Sequence, residues 1–400
     1  MEKQREIWVD WLRITACFLV MMVHSTEPFY LGGDGSLILT ETDAFWAALF
    51  DSFARACVPL FIVASSYLQF PIHYSTGDFF RKRAVRILVP FAIWTIVYAL
   101  IWGEPVQNFR NLLFNFKYEA GHLWFVYMLV GLYLLMPLLS PWAEKVGRKE
   151  LLFYIGLCFL TTFIPYVREY GMDGNDVCIF GPSGIPMQAP YPLWGEASWN
   201  YFGLFHYFSG FIGYMLLGLY LRKFVDELSW GRTLAIALPC YLVGFALCSG
   251  GFLSRVAATA GGNFLNGGCL FDGCTFPIGG DCGVAAKWEV PWTFCGVGVA
   301  LMTVGWILLF RKFNSDGRFY RKIVLPVSKA SYGMYLAHML ALLSYSTLFR
   351  NALGIGSEGC LGIMTTPVEI IATAVCSYVT VAVICTLMQK IPVAGKWIVG

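Results

Sequence analysis

The sequence is short of charge. Asp, Glu, Lys and Arg make up 13% of its 400 residues, where a soluble chain carries about a quarter. That deficit excludes an ordinary soluble domain, because apolar residues reach 58% and gather into repeated runs of about twenty. A basic stripe interleaved with aromatics is missing, so nucleic acid is not an expected partner. No repeat of roughly 20–50 residues stands out, nor does an inverted repeat of the transporter kind. No small-residue cleavage site follows the first apolar run, although Lys3 and Arg5 precede it, so that run is read as a retained span. What these absences leave is an all-α polytopic membrane bundle, a single domain over 1–400.

Ten spans are predicted, at about 7–29, 44–70, 84–102, 122–140, 150–166, 201–221, 232–250, 291–310, 324–348 and 367–388. Pro59, Pro90, Pro239 and Pro326 fall inside them and mark expected kinks. With the N-terminus inside, the inner segments hold nineteen Lys and Arg and the outer loops six. This bias places both termini in the cytoplasm. Two outer loops are long, about 167–200 and 251–290, and rich in Gly, Pro and aromatics. Each reads either as a packed cap or as a lid over an acceptor. Tyr191, Trp194, Trp199, Trp288 and Trp292 in or beside them suit sugar rings or simple cap packing. Eight of the thirteen cysteines fall in spans; Cys178, Cys269, Cys274, Cys282 and Cys360 fall outside, where one or two disulfides of unreadable pairing are expected. No second cysteine pair at zinc spacing accompanies them, so no metal is expected.

The first span carries the chemistry. It reads IWVDWLRITACFLVMMVHSTEPF and holds an arginine and a histidine, Arg13 and His24, eleven positions apart. Eleven positions are almost three helical turns, so the two share a face about 16 Å apart along the axis. Asp10 lies within roughly 40° of that face. Either residue alone fits a membrane boundary; their alignment points to a path through the bilayer. A cation would sit at its inner end and a general base near its outer end.

Other segments add to it. Arg83 and Arg86 in RKRAVR share a helix face at the inner boundary, as phosphate ligands or as a positive-inside anchor. His122 and Trp124 stand at the outer edge of the fourth span. Trp124 reads as an interfacial aromatic, and His122 as a residue orienting His24 or an acceptor. Ser331, Tyr335 and His338 are four and three apart in SKASYGMYLAHML and share a face. Arg55 precedes an apolar run and is expected to meet Asp51, one turn earlier. Glu27 reads as a solvated helix-end residue.

Together these segments resemble the acyltransferase 3 family of membrane acyltransferases. DWLRITACFLVMMVHS, with Arg13 and His24, looks like its opening signature, and Arg83-Ala-Val-Arg86 before ILVPFAIW like its second. ARACVPLFIVASSYL is similar to its second-helix motif, with Ser66 where the family usually has Gly; HLWFVYMLVGLYLLMPLL and SYGMYLAH resemble later patterns. The resemblance implies transfer of an acyl group, usually acetyl, from cytoplasmic acetyl-CoA to an extracytoplasmic glycan or lipid-linked saccharide. It implies Arg83 and Arg86 on the CoA phosphates, Arg13 along the pantetheine path or at the nucleotide end, and His24 as general base on the acceptor hydroxyl, with a covalent acyl-histidine as the variant. A bacterial cytoplasmic membrane is the implied setting, with acyl-CoA, the saccharide and membrane lipid as partners. The chain ends soon after the tenth span, without the soluble domain some relatives carry, so acceptor choice is expected in the bundle and outer loops. The alternatives are a saccharide transporter or exporter, which needs no CoA, and an idle sensor or scaffold.

Overall fold

Inside a bilayer the backbone has no water to bond, so apolar runs close their hydrogen bonds within helices. The computed structural model describes residues 5–32, 35–111, 121–170, 202–280, 282–353, 364–392 and 395–400, and it is all-α apart from short strands. In order come α1 (Ile7–Thr26), β1 (Leu31–Gly32), β2 (Gly35–Ile38), α2 (Glu41–Ala54), α3 (Cys57–Gln69), α4 (Thr76–Arg83), α5 (Val89–Ile101), α6 (Pro105–Asn111), α7 (Trp124–Lys145), α8 (Arg148–Thr161) and α9 (Ile164–Tyr170). Then follow α10 (Ile212–Phe224), α11 (Trp230–Thr259), β3 (Asn263–Asn266), β4 (Cys269–Asp272), β5 (Ile278–Gly280), α12 (Cys282–Trp288), α13 (Val297–Phe310), α14 (Leu325–Leu348), α15 (Thr366–Met388) and α16 (Gly395–Ile398).

Among the described residues eight helical segments are long and apolar enough to cross a membrane: Ile7–Phe29, Glu41–Gln69, Thr76–Ile101, Gly121–Lys145, Arg148–Val167, Trp230–Thr259, Val290–Phe310 and Thr366–Met388. The other two expected spans correspond to α10, a helix of 13 residues, and to α14, which has 24 residues and carries Ser328, Lys329, Ser331, Ser344 and Ser346. Large apolar side chains such as Leu138, Phe153, Leu160, Leu242 and Val383 point outward, as a lipid solvent requires.

Prolines shape several of these helices. A proline ring collides with the carbonyl four residues earlier and offers no N–H. Pro59 therefore separates α2 from α3 at Arg55 and Ala56. Pro90 and Pro326 each follow a widened π-helical turn, Ala84–Leu88 and Tyr320–Val324, which contain the residues four before them, Arg86 and Lys322. Such turns favour functional sites. Pro239 lies inside α11 without ending it.

At the centre stands α1, packed against α2, α3, α14 and α15. Leu12 and Ala16 on it are completely buried. The serine that departs from the family pattern has a compensating glycine opposite: Ser66 Oγ donates to the Met215 carbonyl at 2.6 Å, and a Cβ on Gly218 of α10 would stand 2.8 Å from that of Ser66.

A cap closes one end. Strands β1, β2 and β5 form an antiparallel sheet with Ser36 opposite Gly280, and β3 pairs with β4. The expected loop 251–290 is thus shorter than read. The span expected to end at 250 continues as α11 to Thr259, and Gly251 within it lets the Pro291 ring lie against its backbone. Trp288 and Trp292 are 0% and 1% exposed, so neither is a sugar platform. Their indole N–H groups donate to Thr259 and Ser52, and Trp292 stacks on Phe252 at 3.9 Å. Cys269 and Cys274 are free thiols. Most of the loop about 167–200, with Cys178, Tyr191, Trp194 and Trp199, lies outside the described residues, as does Cys360.

Candidate active site

Three of the sequence-predicted cations meet at one cavity of about 280 Å³. Arg13 reaches it from α1, Arg83 from the end of α4 and Arg86 from the π turn that Pro90 imposes. Arg5 and Lys329 complete five basic side chains in the lining, with no carboxylate side chain among them. Arg13, Arg86 and Lys329 have no hydrogen-bonded or ion-paired partner among the described residues. Arg83 rests on the rings of Phe79 and Tyr133, each 5.6 Å away, and its buried Nε has no hydrogen bond. Unneutralised cations around one hollow repel each other, which an anion relieves. Arginine forks suit phosphate oxygens in particular.

Arg5 is different, because it is spoken for. It grips Asp10 in a fork of 2.6 and 2.8 Å. Asp10 also accepts from Tyr320 and Ser328, each at 2.6 Å. Burial, then the bond to Asp10, pushes the Tyr320 hydroxyl up to about 12, so it stays a donor. Asp10 is thus the knot that ties the start of α1 to the π turn and α14; it does not line the cavity.

Phe125 and Tyr335, their rings in contact at 5.3 Å between centroids, close one side of the cavity, with Ser331 also in its wall. Above Tyr335 three histidines from three helices come together. His24 of α1 lies 5.2 Å from His338 of α14, centroid to centroid, and His338 lies 5.0 Å from His122, just before α7. Ser331 and Tyr335 line the cavity, and His338, on the same helix face, stands beyond Tyr335 beside His24, so Arg13 and His24 both look toward α14. Tyr335 donates to the His122 carbonyl, which holds the first turn before α7. Among the described residues no group of three His, Cys, Asp or Glu is arranged to hold a metal ion.

His24 Nδ1 stands 2.7 Å from Glu27 Oε1. A carboxylate only accepts, so Nδ1 carries the hydrogen and Nε2 is left as the basic nitrogen. Its side chain is 21% exposed, an open position for a reactant. Glu27, read from sequence as a solvated helix end, is therefore the partner that His122 was expected to be. The spacing of three within a helix end was the available signal.

Arg55 meets Asp51 as the one-turn spacing required, and Asp51 also accepts from Thr26 at 2.8 Å. Tyr30 and Glu289 stand 3.4 and 3.8 Å from its guanidinium, and the Trp292 ring lies beneath it at 4.8 Å. Burial pushes the Glu289 carboxyl above the usual range, against the pull of Arg55 and the Tyr30 hydroxyl. Trp124 stacks on Phe294 and Phe211, tying α7 to its neighbours without entering the cavity. Sequence reading missed Lys329, Gln69 and the hydrogen-bonded pair Ser65 and Tyr133 as cavity residues. Lys329, a cation inside a small-residue stretch, was the visible signal.

No curated protein and no solved structure matches the chain. The family model for an acyltransferase domain matches residues 6–388, so that both ends of the path, the cavity arginines and the histidines, lie inside it. With nearly all of its length covered, the chain belongs to the acyltransferase 3 family of membrane acyltransferases.

Proposed function

We propose that this protein is an O-acyltransferase of a bacterial cytoplasmic membrane, with both termini inside. It moves an acyl group, acetyl in the simplest case, from cytoplasmic acyl-CoA to a hydroxyl of an extracytoplasmic glycan or lipid-linked saccharide. One observation carries this reading: cations without partners line a cavity whose upper wall, at Tyr335, touches the histidine group. Arg13, Arg83 and Arg86, with Lys329, hold the CoA phosphates. The acyl-pantetheine arm then rises past Ser331 and Phe125 toward His24.

At the top the acceptor oxygen attacks the thioester carbonyl carbon. His24 Nε2 takes the hydroxyl proton as the new C–O bond forms, and Glu27 steadies the imidazolium. The C–S bond breaks, and the proton passes from His24 to the departing thiolate. A hydroxyl is a poor nucleophile at neutral pH, which is why the base is needed.

Cleavage of acetyl-CoA by the full chain in nanodiscs tests the reading, with and without an envelope-glycan extract. Release of free CoA by wild type, raised by extract and lost in His24→Ala and Arg83→Ala, is the expected result. No release, together with no CoA binding in a thermal-shift assay, would turn the argument toward a saccharide transporter.

A further inference from the structure

His338 is completely buried, and its ring makes one hydrogen bond, from Nδ1 to the carbonyl of Tyr335. A carbonyl accepts, so Nδ1 carries the hydrogen and Nε2 holds a bare lone pair. That Nε2 is buried without a partner, and so is Nε2 of His122. Leaving a buried polar atom unsatisfied is unfavourable, and a phenylalanine would pack there without it. The rings of His24 and His122 flank His338 at 5.2 and 5.0 Å.

A reacting hydroxyl has one hydrogen, and His24 takes it. The lone pair on His338 is left open to a further donor. We propose that His338, with His122 beside it, binds a second hydroxyl next to the reacting one, so that the site selects a vicinal diol, as in a saccharide ring, over an isolated alcohol. This rests on the acyl-transfer reading and names its acceptor chemistry. The second hydroxyl keeps its proton throughout: it donates a hydrogen bond to His338 Nε2 and holds its neighbour in line with His24. The rings part slightly to admit it, since both nitrogens are sealed before the acceptor arrives.

The probes are cis-cyclohexane-1,2-diol and cyclohexanol, offered with acetyl-CoA to the full chain in nanodiscs. Wild type is expected to prefer the diol by at least about tenfold in kcat/KM, the worth of one hydrogen bond to a group otherwise left bare. In His338→Phe, which keeps the packing and removes the acceptor atom, the diol-to-alcohol ratio falls to near the statistical value. In His338→Gln, which restores an acceptor oxygen, part of the preference returns. Equal use of both alcohols by wild type, or an undiminished ratio in His338→Phe, overturns the proposal. Should His338→Phe not fold, the ratio in His338→Leu, which also removes the acceptor atom, decides in the same way. Release of CoA by wild type supplied with the envelope-glycan extract, with CoA binding by thermal shift beside it, separates the two levels. No CoA release even with envelope-glycan extract, together with no CoA binding, refutes acyl transfer itself; release with neither alcohol acetylated refutes only the diol site.

Discussion

Two sets of arginines sit in this bundle under opposite terms. At the cavity, Arg13 and Arg86 have no partner among the described residues, and Arg83 has only aromatic faces. At the other end Arg55 is bound to Asp51 and flanked by Tyr30, Glu289 and Trp292. The lesson is that charge alone does not mark a ligand site. Arg55 is satisfied by its own protein and holds α1, α2 and the cap together. The cavity arginines have no carboxylate partner of their own, and the proposed hold on the CoA phosphates draws on that.

Substitutions can break that contrast. The largest expected effect lies beyond both sets, at the base: His24→Ala lowers kcat for acyl transfer by about 10²–10⁴-fold, read as CoA release. Next comes Arg55→Ala, which strands the buried Asp51 carboxylate; it lowers stability by about 3–5 kcal/mol, measured by unfolding in detergent. Arg83→Ala should do the reverse. The melting temperature holds or rises as repulsion is relieved, while KM for acetyl-CoA rises by about 1.5–3 kcal/mol worth of lost charged hydrogen bonds. If Arg83→Ala unfolds the protein or Arg55→Ala leaves it intact, the distinction between the two sets fails.

The smallest effect is one of pH. Glu289 has its carboxyl pushed up by burial, so the folded state binds a proton more readily than the unfolded chain does. Its contribution to stability is therefore present at low pH and is lost as pH rises from the ordinary carboxylate range through the raised folded value. Melting temperatures followed across that window should fall more steeply in wild type than in Glu289→Gln.

How much of this was legible follows from how local each feature is. Arg13 and His24 on one face, Arg55 against Asp51, and the shared face of Ser331, Tyr335 and His338 are all matters of helical period, and the period is in the sequence. The gathering of His24, His122 and His338 is not, because it depends on how α1 and α14 pack with the turn before α7. Glu27 was visible and misjudged, since a carboxylate at a helix end is usually solvated. The span expected to end at 250 runs on to Thr259, and Gly251 lies within it. That glycine marks close packing by Pro291, which composition alone does not reveal. Trp288 and Trp292 likewise show that an aromatic in an outer segment is as often a closure as a platform.

The strand pair that joins the cap sets an order of assembly. Residues Ser36 to Ile38 of β2 lie near the start of the chain, and their partners, Ile278 to Gly280 of β5, come only after α11 has been made. As the chain leaves the ribosome, the first helix with its arginine and histidine waits in the membrane while β2 keeps an open edge. Pairing so distant in sequence is slow to form. The cap can therefore close only once α11 is made, and α14, which brings Tyr335 and His338 in beneath it, is made later still.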